Sequence, residues 1–320
     1  MSNVIPTNVD EAIARIDEWK GANITYTSLT GGQTNPTYKV SVDDTNYFLK
    51  VPGTGTDFIN RENCHMAGEI ADKAGVGAKV YKYFPDTGVE VFEWLEGYRN
   101  LCLGDMYFKD ICLAGISAIR DFNNLPGAEL PEKVSVFDQY RSMLARCTEA
   151  DYIPPWHKTY MYYMSRIEDA FKTYGMESKP CHNDYWFANL MWNEEKKEGK
   201  IIDLEYASMS DPVFDVAGWM CGFATEDMMK DAVTLYNYGE FDEKLFAKTN
   251  LARLASEIKW TYWSIMQTAT STIQFDYYAW YTDKSKRLRY YIVDNRIDYW
   301  LNILEGKNSW RTPGIWKTLD

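Results

Sequence analysis

The sequence predicts an α+β protein of two lobes, a small N-terminal antiparallel-sheet lobe over residues 1–96 and a larger helical C-terminal lobe over residues 97–320. Three observations predict it. Apolar and polar residues alternate with period two through several short runs before residue 96, as half-buried strands require. Beyond about residue 100 the apolar residues recur at helical spacing in long runs. A chain of 320 residues is also long enough for two cores of unequal size.

In order, "ITYTSLTGGQTNPTYKVSVDDTNYFLKV" reads as three antiparallel strands joined by hairpins at Gly31-Gly32 and Asp43-Asp44. "FINRENCHMAGEIADKAG" carries Ile59, Met66, Ile70 and Ala74 at helical spacing, with Gly75 placed to end the helix. "AKVYKYF" and "VEVFEWL" read as strands around a turn at Pro85 and Gly88, and a hinge is expected from Glu93 to Gly97. "MYFKDICLAGISAIRDFNNL" and "YMYYMSRIEDAFKTYG" read as helices. Between later helices lie "CHNDYWFANLMW", the charged hairpin turn "NEEKKEGK" and the apolar strand "IIDLEY".

Composition removes several classes of function. No run approaches a membrane span, and the first twenty residues lack the basic and apolar regions of a signal peptide, so a cytoplasmic protein is expected. The six cysteines are dispersed without a CxxC pair, which fits reduced thiols and not a zinc site. A net charge of −12 disfavours nucleic acid and permits a cationic substrate.

Five signals for chemistry occur in one order. Gly31 and Gly32 between strands would let backbone N–H groups approach phosphate oxygens, though a glycine pair is also an ordinary tight turn. Lys50 ends a strand. Glu62, on the following helix, would hold Lys50 as an ion pair, or would be a plain exposed carboxylate. His182, Asp184 and Asn189 form HxDxxxxN, and Asp203 stands on the apolar strand that follows.

This order resembles the small-molecule branch of the eukaryotic-like kinase fold, the choline/ethanolamine kinases and the aminoglycoside phosphotransferases, from about Leu29 to about Arg287. "HNDYWFANLMW…IIDLEYASMSDPVFDVAG" is its most specific part. Protein kinases match less well, since Asp203 is followed by Leu-Glu and no APE segment follows. The resemblance implies a bilobal protein-kinase-like fold and an ATP- and Mg²⁺-dependent phosphotransferase. It makes Asp184 the base for the attacking hydroxyl, Asn189 and Asp203 the metal ligands, and Gly31, Gly32, Lys50 and Glu62 the nucleotide-phosphate group. Glu93 and Leu95 would meet adenine. His182 would brace the loop, and Asp215 would support it as a neighbouring carboxylate.

For the acceptor, Trp260 and Trp263 share a helical face, and Tyr277 and Trp280 follow. Core packing accounts for such a stripe, and so does a cage for a quaternary ammonium. WxxWSxxQ followed by an aromatic cluster resembles the choline kinase pattern, which implies choline, with Glu205 adding negative charge. Glu205, two residues past Asp203 on a strand, should project to the same side. The sequence has "ASMSDP" where eukaryotic members are tyrosine-rich, so Tyr185 and Trp186 are candidates to rebuild a missing wall. Ethanolamine, thiamine and aminoglycosides are the alternative acceptors. A binding-only kinase-like module is the alternative outside enzymes. The expected partner is thus a small cationic alcohol, with no nucleic acid and no membrane anchor.

Overall fold

The alternating N-terminal segments pair into one antiparallel sheet. A computed structural model describes residues 5–29, 35–54, 56, 59–223, 225–271, 275–293 and 296–307. By contact the chain divides into two compact units, Met1–Glu132 with Lys179–Met209, and Lys133–Ser178 with Ser210–Asp320. A boundary at residue 96 remains a proposal drawn from the change in sequence character.

In the first unit, α1 (Val9–Ala14) starts at an Asn8 cap whose side chain accepts from the Glu11 N–H, while Glu11 answers in a capping box. β1 (Ile24–Ser28), β2 (Thr37–Val42), β3 (Thr45–Lys50), β4 (Val80–Phe84) and β5 (Val89–Glu93) form a sheet in the order β1-β2-β3-β5-β4, each neighbour antiparallel. Asp43 takes the turn between β2 and β3 at φ 50°, which aspartate tolerates better than most residues. The expected turn at Gly31-Gly32 lies outside the described residues. Val40, Leu49, Val89 and Val91 close one face of the sheet over Trp19.

Strand alternation sends Lys50 and Glu90 to the other face, where they are register partners across β3 and β5. That face is covered by α2 (Arg61–Lys73), which begins at an Asn60 cap and ends before Gly75 at φ 72°, as its sequence predicts. α2 comes close because Gly68 has no side chain. A Cβ there would stand 3.3 Å from the Phe92 ring.

The first unit continues with β6 (Tyr98–Asn100), α3 (Lys109–Asn123), β7 (Lys179–Cys181), β8 (Leu190–Asn193), β9 (Glu198–Ile201) and the first two residues of β10 (Ser208–Ser210). β6, β8 and β9 form an antiparallel sheet, and the charged segment makes the β8–β9 hairpin. One expectation is corrected here. β9 stops at Ile201, and Asp203 lies beyond it at φ 62°, a left-handed conformation that turns the chain. The ladder ends because Ile202 bonds to the preceding loop instead: its N–H donates to the Asn189 carbonyl (3.0 Å), and its carbonyl takes His182 Nε2 (2.8 Å). Strand alternation therefore does not place Glu205.

The second unit is helical: α4 (Val136–Glu149), α5 (His157–Tyr174), α6 (Val213–Met220), α7 (Glu226–Tyr236), α8 (Glu243–Thr270), α9 (Tyr277–Val293) and α10 (Arg296–Leu304). Leu251, Leu254, Ile258 and Tyr262 of α8 pack with Tyr160, Ile167 and Phe171 of α5 and Leu301 of α10. Because α8 is buried through most of its length, its polar residues need internal partners. Lys248 meets Asp211 at 2.7 Å, with the two side chains 3% and 0% exposed. The six cysteines are free thiols, four of them buried. No helix among the described residues is long and apolar enough to cross a membrane.

Removing one member of a buried ion pair strands the other charge. Lys248→Met should therefore lower the unfolding free energy by about 3–5 kcal/mol in a urea titration. A loss below about 1 kcal/mol would contradict the pairing.

Candidate active site

Lys50 ends β3 with its side chain 12% exposed and its Nζ 2.5 Å from Glu205 Oε1 and 3.6 Å from Asp203 Oδ1. Burial works against its charge, but Asp203, Glu205 and Glu90 outweigh it and push the ammonium up to about 12. Asp203 is raised by its partial burial and by Glu205 and Asp184, against Lys50, although half of its side chain faces solvent. Glu205 also accepts from Asn35 Nδ2. Asn35 is 2% exposed, and its Oδ1 takes the Gly53 N–H (2.9 Å) and Arg61 Nη2 (3.0 Å).

The loop between β7 and β8 reaches the same centre. His182 is fully buried, and its two ring nitrogens have defined partners. Its Nδ1 faces the Asp184 N–H at 3.3 Å, which can only donate, and its Nε2 faces the Ile202 carbonyl, which can only accept. These contacts assign a neutral ring with the proton on Nε2. His182 thereby ties Asp184 to the residue before Asp203. Asn183, at φ 63°, donates to the Tyr206 carbonyl (2.9 Å) and to Ser208 Oγ (2.8 Å). Asn189 Nδ2 donates to the Asp184 carbonyl (2.8 Å) and to Asp184 Oδ2 (3.2 Å), so the aspartate and the amide move together.

In the second unit the expected aromatic residues form a contiguous chain. Trp260 and Trp263 meet edge to face at 5.4 Å, Trp263 and Tyr277 at 5.7 Å, and Phe275 joins Tyr277 at 4.8 Å to Trp280 at 5.7 Å. Two of these rings already carry cations, Lys259 over Trp260 at 4.0 Å and Lys284 over Trp280 at 5.0 Å. Asp215 is fully buried in the first turn of α6.

Lys50, Asp203, Glu205, Asp184, Asn189 and His182 are thus brought together in one unit, while two expectations, Glu62 and Tyr185, are placed differently. Glu62 is exposed at the start of α2, and the ion pairs of Lys50 among the described residues are with Asp203 and Glu205, because the helix turns Arg61 and Cys64 inward instead. Tyr185 is 4% exposed and packs on His182 at 5.0 Å, whereas Trp186 stays half-buried against Phe187. Gly31 and Gly32 are outside the described residues. In the segment expected to be a hinge, Glu93 and Trp94 use their N–H groups on Lys79 and Asn46, and the Leu95 N–H has no hydrogen-bond partner among the described residues.

Sequence reasoning missed Asn35, Glu90, Tyr206 and Phe275. Tyr206, 42% exposed, feels Asp184, Glu205 and Asp203; burial first, and then those carboxylates, push its hydroxyl up to about 12. Its signal was adjacency to Glu205. Asn35 had the signal of a polar residue immediately before a proline at a strand start.

A strand-end lysine held by two carboxylates, beside a loop that presents an aspartate braced by an amide and a histidine, defines a phosphotransferase of the kinase-like fold. The Choline/ethanolamine kinase family model matches residues 26–240. The chain belongs to the choline/ethanolamine kinase family. Among its relatives, the probable ethanolamine kinase of Arabidopsis thaliana is 27% identical, over 79% of this chain and 75% of that protein. The probable choline kinase 2 of the same plant is 24% identical, over 85% and 88%. Among solved structures, a choline/ethanolamine kinase family protein from Mesorhizobium loti superposes with a TM-score of 0.80 at 22% identity, over 92% of this chain and 98% of that one. It shares the fold.

Glu90 gives the site a pH signature. It is 6% exposed and faces Lys50 of β3, Arg61 and Cys64 of α2 and Tyr83 of β4, with Glu205 and Asp203 near. Burial outweighs Lys50 and Arg61 and pushes its carboxyl up to about 7. Below that value the folded chain keeps a proton that the unfolded chain releases near 4.5, so this contribution to stability is full at low pH and is lost as pH rises through about 7. The stability of the wild type relative to Glu90→Gln should fall by up to about 3 kcal/mol between pH 5 and pH 8. A pH-independent difference would contradict the assignment.

Proposed function

We propose that this enzyme transfers the terminal phosphoryl group of ATP to the hydroxyl of a small cationic amino alcohol, choline first. The observation that carries the reading is the meeting of Lys50, Asp203 and Glu205 with a loop that holds Asp184 and Asn189 at a fixed separation. Phosphoryl transfer needs little covalent help and much alignment and charge neutralisation, which is what such a cluster offers.

The assignments follow from the groups that remain unengaged. Leu95 offers its N–H to adenine, in a hinge whose Glu93 side chain is spent on the Lys79 N–H (2.9 Å). Lys50 neutralises phosphate oxygens, and Gly31 and Gly32 are assigned to the same phosphates from the sequence alone. Asp184 accepts the proton of the acceptor hydroxyl and orients it for attack. Mg²⁺ suits Asp203 and Asn189: a half-exposed carboxylate and an amide whose Nδ2 is committed to Asp184, while its Oδ1 accepts no hydrogen bond among the described residues. When bound, the ion neutralises charge on the phosphates. His182 and Asp215 keep supporting roles.

Choline is preferred for its quaternary ammonium, which has no N–H to satisfy and is attracted by ring faces. Lysines already lie over Trp260 and Trp280, which supports the cation affinity of this aromatic chain, whose other members are Trp263, Tyr277 and Phe275. Glu205, for its charge, and Tyr206 and Trp186, for their rings, are assigned to the acceptor by residue chemistry. The reading is of a cytoplasmic enzyme.

Purified protein with ATP and Mg²⁺ should release ADP with choline faster than with ethanolamine, thiamine or kanamycin. No release with any of the four sinks the reading, and a preference for kanamycin sinks the aromatic acceptor site. Asp184→Ala should lower kcat by 10³-fold or more and leave the ADP Kd within about threefold; retained turnover removes Asp184 from its role. Trp263→Ala should raise the choline KM at least tenfold and the ATP KM less than twofold. Equal changes would mark core damage.

A further inference from the structure

We infer that Glu90 is the positioning residue for Lys50, the part that the sequence assigned to Glu62; the inference rests on the nucleotide-binding reading above. Glu90 stands directly opposite Lys50 on the β3–β5 ladder, and opposed residues of an antiparallel pair project from the same face. Tyr83 continues the row on β4. Val89 and Val91, its neighbours in sequence, are fully buried on the other face. Glu90 itself is 6% exposed beneath α2, where an apolar side chain would be cheaper to bury.

The carboxylate is not there for its own hydrogen bonds. Its Oε1 has no partner among the described residues, and the charges of Lys50 and Arg61 oppose the cost of its burial without cancelling it. Arg61 closes a circuit of alternating charge. It donates to Asn35 (3.0 Å), Asn35 donates to Glu205, Glu205 meets Lys50 at 2.5 Å, and Lys50 faces Glu90. Glu205 and Asp203 hold the ammonium from a turn and have other assignments toward metal and acceptor. Glu90 is fixed on a strand ladder, and a rigid element is what keeps a phosphate-binding cation aimed. Glu62, exposed on the first turn of α2, has no comparable placement.

The test is ADP binding by calorimetry alongside steady-state kinetics for Glu90→Gln, Glu90→Asp and Glu62→Gln. Glu90→Gln should raise the ADP Kd and the ATP KM tenfold or more and leave the amino alcohol KM within twofold. Glu90→Asp should recover most of that loss, and Glu62→Gln should match the wild type. In a Lys50→Met background Glu90→Gln should add less than a twofold further loss of ADP affinity, because a residue acting through Lys50 has nothing left to act on. A wild-type ADP affinity in Glu90→Gln, an equal rise in both KM values, or a full additional loss in the Lys50→Met background overturns the inference alone. Should Glu90→Gln fail to fold, Glu90→Asp and the Lys50→Met pair with it carry the same comparison. Wild-type protein that binds no ADP overturns the underlying reading as well.

Discussion

The arrangement depends on one buried cation. Lys50 sits at the end of a central strand, largely out of water, and an ammonium in that place is tolerable only if carboxylates surround it. The carboxylates need it equally, since Asp203, Glu205 and Glu90 would otherwise repel one another in a poorly solvated space. This mutual requirement joins strands β3 and β5 to the turn after β9. It also gives the left-handed Asp203 a reason to persist, since strained backbone is kept where the surroundings over-determine it.

Charge balance at the centre bears on chemistry. One lysine, with Arg61 behind it, faces an excess of carboxylates that includes Asp184. Such a site is poorly suited to a bare phosphate and well suited to phosphate accompanied by a divalent cation, which the hard oxygens of Asp203 and Asn189 would accept. Rigidity comes from backbone contacts: His182 on Ile202, Asn183 on Tyr206 and Asn189 on Asp184 leave the loop little freedom to reshape.

Much of this was legible from residue pattern. Period-two alternation set the strands, Asp43-Asp44 marked a tight turn, and the Asn60 cap with Gly75 bounded α2. What pattern could not supply was which of two covered faces a polar residue enters. Glu90 in "VEVFE" reads as a solvent-facing position of a half-buried strand, and it is buried only because α2 covers the second face, close at Gly68. For the same reason Glu62 looked like the partner of Lys50, since helical spacing does not fix the rotation of α2 about its axis. Asp203 was misplaced on a strand because an apolar run hides a left-handed turn. Tyr206 and Phe275 were lost among 24 tyrosines and 14 phenylalanines, most of which composition alone would send to a core.

The central claim, that the Lys50 cluster transfers a phosphoryl group to an amino alcohol, is tested most directly by phosphorus NMR of the protein incubated with ATP, Mg²⁺ and choline. The account predicts that a phosphomonoester resonance grows in step with ADP, and that Lys50→Met reduces its rate at least a hundredfold while the protein stays folded. ADP accompanied only by inorganic phosphate, or a phosphomonoester formed undiminished by Lys50→Met, would contradict it.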